Sequence, residues 1–283
     1  MRAYQPGYLV TIMMATFAAQ ILFCLLVARQ GGITQISFVV FGLCQIIPGI
    51  IVLAATGNYP RQLLALLKKP ALKLVMTLTL LAIVAVLSAI ILAHISGNTR
   101  PLEGFAAHYA LKDWLPASFL GLPDYFLYLI AMAPLLHLFN AAAEEIMWRG
   151  YLLDALRNRL STRVAIFASG LIWGAWHIPM VVMLDWVFPG QPVIGSLMFT
   201  ASLACWGSIM AWARVKGRSL WPAIIMHAYF NALTIGLYNP LVLPDSFLIS
   251  NHWGATGIFI ALSTLLLIHL FHPRKQAHIQ GAS

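Results

Sequence analysis

Charge is what this sequence has least of. Only 9% of its 283 residues are charged, and only eight are acidic. A soluble domain carries about 25% charged residues, so an ordinary water-soluble protein is excluded. Cysteine is scarce as well. Cys24, Cys44 and Cys205 all fall in apolar stretches, with no CxxC spacing and no disulfide framework. The chain has no internal repeat, no low-complexity segment and no composition shift. Residues 1–283 therefore read as a single integral membrane domain. There is no HExxH: His177 is followed by Ile-Pro-Met-Val, which excludes a standard zinc-protease helix. Ser169 has no suitably spaced histidine or lysine, which argues against serine catalysis.

What the chain does have is apolar length. The hydrophobic fraction is 61%, and it comes in runs of about 20 residues, enough to cross about 30 Å of hydrocarbon. Barrel strands would be short and would alternate in polarity. The fold class is thus all-α, a polytopic bundle of about eight spans. They cover roughly 8–28, 36–56, 74–95, 125–148, 164–187, 193–213, 220–239 and 254–271. Residues 59–70 read as a short amphipathic helix at the interface. The stretch 96–124 is the longest loop, with Trp114 and Phe119 as headgroup anchors.

The net charge of +9 does not indicate nucleic acid, because the basic residues are spread over several short loops rather than one face. They read as topology signals. Eight spans put both termini on one side with Arg2, Arg61, Lys68, Lys69, Lys73, Arg157, Arg159, Arg163, Arg214, Lys216, Arg218, Arg274 and Lys275. The other side holds only Arg29, Arg100 and Lys112, alongside Glu103, Asp113, Asp124 and Asp245. That asymmetry places both termini in the cytoplasm. Arg149 stands outside the count as a residue expected to be buried. A seven-span count would move the basic tail outside.

Against this background a few polar groups need a reason. Glu144 and Glu145 sit side by side near the end of the fourth span, in Ala-Ala-Ala-Glu-Glu-Ile-Met-Trp-Arg-Gly. A charge in a bilayer costs at least about 2.5–3.5 kcal/mol. Glu145 and Arg149 are four apart on one helix face, in the favourable acid-before-base order for an ion pair. Glu144 is turned about 100° away and is free to move protons. The competing reading is a helix end whose charges snorkel to the headgroups.

The fifth span carries Gly170, Trp173, Gly174, His177 and Pro179. The two glycines form a small-xxx-small notch for close helix approach. His177 shares that face, and Pro179 frees a backbone carbonyl near Ala175. A bland reading is available here too: an imidazole bonded to a carbonyl at a kink. The seventh span carries His227 and Asn231, four apart on one face. They offer N–H donors suited to an oxyanion, or else a simple interhelical bond. Asn140, one turn before Glu144, is placed beside the same cavity. Gln20, Gln45, His94 and His137 read as packing or helix-edge groups, and His252, His272 and His278 as loop or tail residues.

Three motifs thus occur in order: Glu144-Glu145-x-x-x-Arg149, then Trp173-x-x-x-His177, then His227-x-x-x-Asn231. Together they resemble the CPBP family, also called the Abi or type II CAAX prenyl protease family of intramembrane endopeptidases. Its pattern is EExxxR, FxxxH and HxxxN or HxxxD. The likeness covers about 90 residues, from Ala141 to Asn231, within a catalytic core of approximately 125–240. Trp173 stands where the family often has Phe, and is expected to alter packing more than chemistry.

The resemblance implies peptide-bond hydrolysis in a cavity open to the cytoplasm. The residue matching Glu144 would be the general base, and the one matching His177 would hold the attacking water. Those matching His227 and Asn231 would form the oxyanion hole, with Glu145 and Arg149 in support. The implied partners are a peptide or protein substrate and the lipid bilayer. The implied location is a bacterial cytoplasmic membrane. The cofactor stays open between none and zinc, with the balance towards glutamate-type chemistry, since two histidines and one glutamate could also hold zinc with an open fourth position. Two rival classes remain: a proton-coupled transporter, built from similar intramembrane Glu and His groups, and a non-catalytic membrane scaffold or immunity protein.

Overall fold

The computed structural model describes residues 6–32, 42, 44–57, 59–68, 70–100 and 127–271, and these residues form an all-helical bundle without strands. The sole β-like pairing among them is an isolated bridge between Thr99 and Val242. The first half of the chain gives α1 (Pro6–Arg29), α2 (Ile47–Ala55), α3 (Tyr59–Leu67) and α4 (Leu72–Ile95). The second half gives α5 (Ala133–Leu136), α6 (Leu138–Glu145), α7 (Leu153–Arg157), α8 (Thr162–Trp176) and α9 (Ile178–Leu184). It closes with α10 (Pro192–Gly217), α11 (Trp221–Leu233), α12 (Phe247–Ser250) and α13 (Ala255–Phe271).

Among the described residues five helical stretches are long and apolar enough to cross a membrane: Gly7–Arg29, Leu72–Ile95, Thr162–Leu184, Pro192–Gly217 and Phe247–Leu270. A sixth is added if Leu129–Leu136 and Leu138–Arg157, bent by 54° at His137, count as one span. The expectation of eight is therefore met in part. Residues 36–41 and 43 of the stretch 36–56 lie outside the described residues, and the rest gives the nine-residue α2. The stretch 220–239 is helical throughout, as the α-helix Trp221–Leu233, a π-turn Thr234–Tyr238 and a last α-turn Asn239–Leu241, but it is not among the five. Nine residues of its α-helical part are buried within the bundle. The expected anchors Trp114 and Phe119 also lie outside the described residues, as do Arg2, Lys69, Lys112, His272, Arg274, Lys275 and His278.

Side-chain size sets which surface of each helix faces in. On α4 the buried face reads Leu78, Ala82, Ala85, Val86, Ala89 and Ala93, at the three- and four-residue spacing of one stripe. Met76, Leu80 and Ile91 point outward and are exposed. Small residues inside and long apolar ones outside suit a helix whose outer solvent is hydrocarbon. The expected notch on α8 packs against α10. A Cβ on Gly170 would lie 2.8 Å from the Ala204 carbonyl oxygen, and one on Gly174 would lie 2.8 Å from Thr200 Cα. No side chain fits at either position, so the two backbones touch.

Other contacts lock the ends. Arg100 reaches from the end of α4 to the chain following α11. Its Nη1 donates to the carbonyls of Asn239, Pro240 and Val242 at 3.1, 2.9 and 3.2 Å. Arg214, expected in a loop, instead belongs to α10, and its buried guanidinium pairs with Asp154. The three cysteines are unpaired thiols, as expected.

Replacing Gly174 by valine should destabilise the protein by about 1–3 kcal/mol through overpacking. Gly7→Ala, at a position with nothing within 4 Å, should be neutral. Thermal unfolding of both variants in detergent tests this; equal midpoints would contradict the packing described.

Candidate active site

Three irregular helix segments bring the polar groups together. Past Glu145 the α-helix widens into a π-helical turn, Ile146–Leu152. At His177 a single turn residue separates α8 from α9, with Pro179 in the first turn that follows. Beyond α11 a second π-turn runs from Thr234 to Tyr238. Wider turns of this type break the regular backbone ladder and often accompany functional sites.

The two glutamates are buried, and so is Arg149. Arg149 Nη1 donates to Glu145 Oε1 at 2.7 Å. The same oxygen lies 3.0 Å from His227 Nδ1. A carboxylate held by arginine only accepts, so Nδ1 carries the proton of this bond. His227 Nε2 is thereby directed elsewhere, and it lies 3.9 Å from Glu144 Oε1. The sequence reading had the two glutamates facing apart. In the structure they reach opposite nitrogens of one imidazole, because its ring is wide enough to span the rotation between neighbouring helical positions.

Trp173 stands at the centre of this group. Its indole Nε1 donates to Glu144 Oε2 at 2.8 Å. The Arg149 guanidinium lies 3.9 Å above its ring centre, a cation–π contact. Its ring meets those of His227 and His177 edge-on, at 5.3 and 5.6 Å between centroids. Its backbone carbonyl accepts from His177 Nδ1 at 2.9 Å. The bland reading of His177, a ring bonded to a backbone carbonyl, is thus correct as far as Nδ1 goes. With Nδ1 donating, Nε2 is left as the ring's second functional atom.

A cavity of about 100 Å³ collects these groups, and Glu144, His177, His227 and Asn231 all line it. A site needs only about 10–15 Å³ to admit one water, so several fit. Asn140 lines it too, as expected. Gln45 and His137, read from sequence as packing or edge groups, also line it. For His137 the reason is the 54° bend at that residue, which turns the chain across the cavity; Gln45 also bonds Met180 Sδ. Thr234, Asn239, Asn251 and Trp253 complete the polar wall and were not foreseen. His252 falls in a turn, as expected, and is fully buried there, with Nε2 2.6 Å from Thr234 Oγ1. His94 and Gln20 do behave as edge and packing groups, with bonds to Thr99 and Cys24.

Among the described residues no three of His, Cys, Asp and Glu gather as metal ligands. Glu145 Oε1 is held by Arg149 and His227, and Glu144 Oε2 by Trp173, so the atoms still open are Glu144 Oε1, His177 Nε2 and His227 Nε2.

Comparison with known proteins bears on the same segment. Residues 125–233 match the family model described as type II CAAX prenyl endopeptidase Rce1-like. That range holds all three motifs. Both this match and the next finding support the CPBP family. Over 164 residues the chain is 29% identical to the CAAX prenyl protease 2 of Methanococcus maripaludis, which covers 56% of this chain and 57% of that protein. The alignment thus spans little more than half the length of the curated relative.

Removing one partner of a buried ion pair leaves the other charge uncompensated, at a cost of about 3–5 kcal/mol. Arg149→Met should therefore cause severe loss of stability, and adding Glu145→Gln should recover part of it. A double-mutant cycle on detergent unfolding checks this. Simple additivity would mean that the pair is not coupled.

Proposed function

We propose that this chain is an intramembrane endopeptidase that hydrolyses a peptide bond with a glutamate-activated water. One observation carries the reading: Glu144, His177, His227 and Asn231, from three separate helical segments, line one small cavity. The match of residues 125–233 to prenyl endopeptidases supports it. The substrate is a peptide or protein, presented from the membrane or its surface. The frame is the eight-span one, with cytoplasmic termini and a cavity open to that side, in a bacterial cytoplasmic membrane.

The chemistry follows from the acceptors and donors. A water in the cavity gives one hydrogen bond to Glu144 Oε1 and one to His177 Nε2, which leaves its lone pair for the substrate carbonyl carbon. Glu144 takes a proton as the new C–O bond forms. The carbonyl oxygen becomes an oxyanion and accepts hydrogen bonds from Asn231 Nδ2 and from His227 Nε2. The latter bond requires a doubly protonated His227, whose positive charge is balanced by Glu145 at Nδ1. Such donors are effective because they are fixed in place and shielded from bulk water. Glu144 then hands its proton to the departing amine, the C–N bond breaks, and a carboxylic acid and an amine leave.

In purified protein reconstituted in liposomes with a peptide library, Glu144→Gln and His227→Ala should each reduce cleavage by about 10²–10⁴-fold. Asn231→Ala should reduce it by about 10²–10³-fold through kcat. A chelator should leave the wild-type rate unchanged. A scaffold would show no cleavage and would tolerate Glu144→Gln in cells. A transporter would show Glu144-dependent flux without new peptide ends.

A further inference from the structure

We infer that Trp173 is a positioning residue for Glu144, and that its indole N–H, rather than its ring, is what this chain gains by having tryptophan there. The inference rests on the hydrolytic reading above and deepens it. The observation behind it is one bond: Trp173 Nε1 donates to Glu144 Oε2 at 2.8 Å, with both groups buried. Phenylalanine, the residue in the motif that this one resembles, has no such donor.

A phenyl ring at this position would keep the remaining contacts. It would still lie under Arg149 and still present its face and edges to His227 and His177. The bond from His177 Nδ1 goes to the Trp173 backbone carbonyl and is indifferent to the side chain. What the indole adds is confined to Glu144. Its N–H is a donor with no acceptor capacity, so it cannot compete for the proton that Glu144 moves. By occupying Oε2 it fixes the carboxylate rotamer and leaves Oε1 as the oxygen that faces His227 Nε2, 3.9 Å away. The donor itself is held rigidly. Trp173 lies between Gly170 and Gly174, where α8 touches the backbone of α10, so the indole cannot follow a carboxylate that rotates. A general base held in one orientation is a condition for efficient proton transfer, because the proton must be met at hydrogen-bond distance. Misplacement of a base by about 1 Å costs rate steeply.

The prediction separates the N–H from the ring. Trp173→Phe removes the donor and some volume. Replacing Trp173 by its benzothienyl analogue, with sulfur in place of the N–H, removes the donor and keeps the shape. Trp176→Phe is the control, since the indole of Trp176 donates to the backbone of Thr16 instead. Peptide cleavage in liposomes should lose roughly 10- to 100-fold in kcat in both Trp173 variants, the size of a lost hydrogen bond to a charged group. KM and the unfolding midpoint of the benzothienyl protein should stay at wild-type values, and Trp176→Phe should keep its kcat. Wild-type kcat in the benzothienyl protein, with Glu144→Gln inactive, would overturn this inference alone. A change confined to KM would also overturn it, because it would make Trp173 a substrate contact. If wild type and Glu144→Gln are equally inert, the hydrolytic reading falls and this inference falls with it.

Discussion

The buried pair between Glu145 and Arg149 is the constraint around which the second half of the molecule is built. Two full charges lie 2.7 Å apart, and neither residue has exposed side-chain surface. Stripping both of water costs several kcal/mol each, and their attraction repays it only with good geometry and further bonds. The surrounding structure supplies these in part, since Glu145 Oε2, Arg149 Nε and Arg149 Nη2 have no hydrogen-bond partner among the described residues. The Trp173 ring covers the guanidinium, and His227 adds a bond to the shared carboxylate oxygen. Gly207 on α10 leaves room for the guanidinium, since a Cβ there would lie 2.7 Å from Arg149 Nη2. One ion pair thus ties the segment after α6 to α8, α10 and α11. Such a pair is a weak source of net stability. Its effect is to make any other arrangement of these helices leave a bare charge in an apolar interior.

Once that pair is fixed, the cavity chemistry is largely determined. His227 cannot present Nδ1 to the cavity, because Glu145 holds it, so Nε2 is the available atom. His177 is constrained the same way by a different partner, a backbone carbonyl. Two imidazoles with Nδ1 committed and Nε2 free come from unrelated local structures, one from an ion-pair network and the other from a one-residue helix break just before a proline. Glu144 completes the set with one oxygen tied to Trp173. Each of the three titratable side chains is bonded on one side and open on the other. A site that moves protons needs this asymmetry, since a side chain satisfied on all sides has no reason to exchange them.

Much of this was legible in the sequence, for identifiable reasons. The charge-poor composition and long apolar runs specified a helical membrane protein. The four-residue spacing of Glu145 and Arg149 specified their pair. The spacing of Gly170 and Gly174 specified a close helix contact, though not that α10 would fill it. What escaped was whatever depends on approach between segments far apart in the chain. Periodicity places Glu144 and Glu145 on different faces, which is true of one helix. It says nothing of an imidazole from α11 wide enough to touch both. The bond from Trp173 to Glu144 was hidden similarly, since an aromatic residue at a helix interface reads first as packing. Its N–H was the available signal: a buried indole generally finds an acceptor, and carboxylates are rare in this chain. His137 was missed because no local pattern announces a 54° bend.

The same dryness that makes the ion pair costly makes the cavity useful. Apolar side chains cover the outer faces of the spanning helices, while most polar groups that need explaining face one another inside. Electrostatic interactions in such surroundings are several times stronger than in water. Unpaired polar groups are correspondingly expensive there. A peptide bond entering the cavity would meet fixed donors and acceptors rather than mobile solvent, and little reorganisation would be needed as charge moves from water to carbonyl oxygen. An apolar bundle is therefore not merely a container that happens to hold a polar site. In the proposed hydrolytic reading, its low polarity would give a few side chains the strength to act on one water molecule, with the ion pair holding those side chains in register.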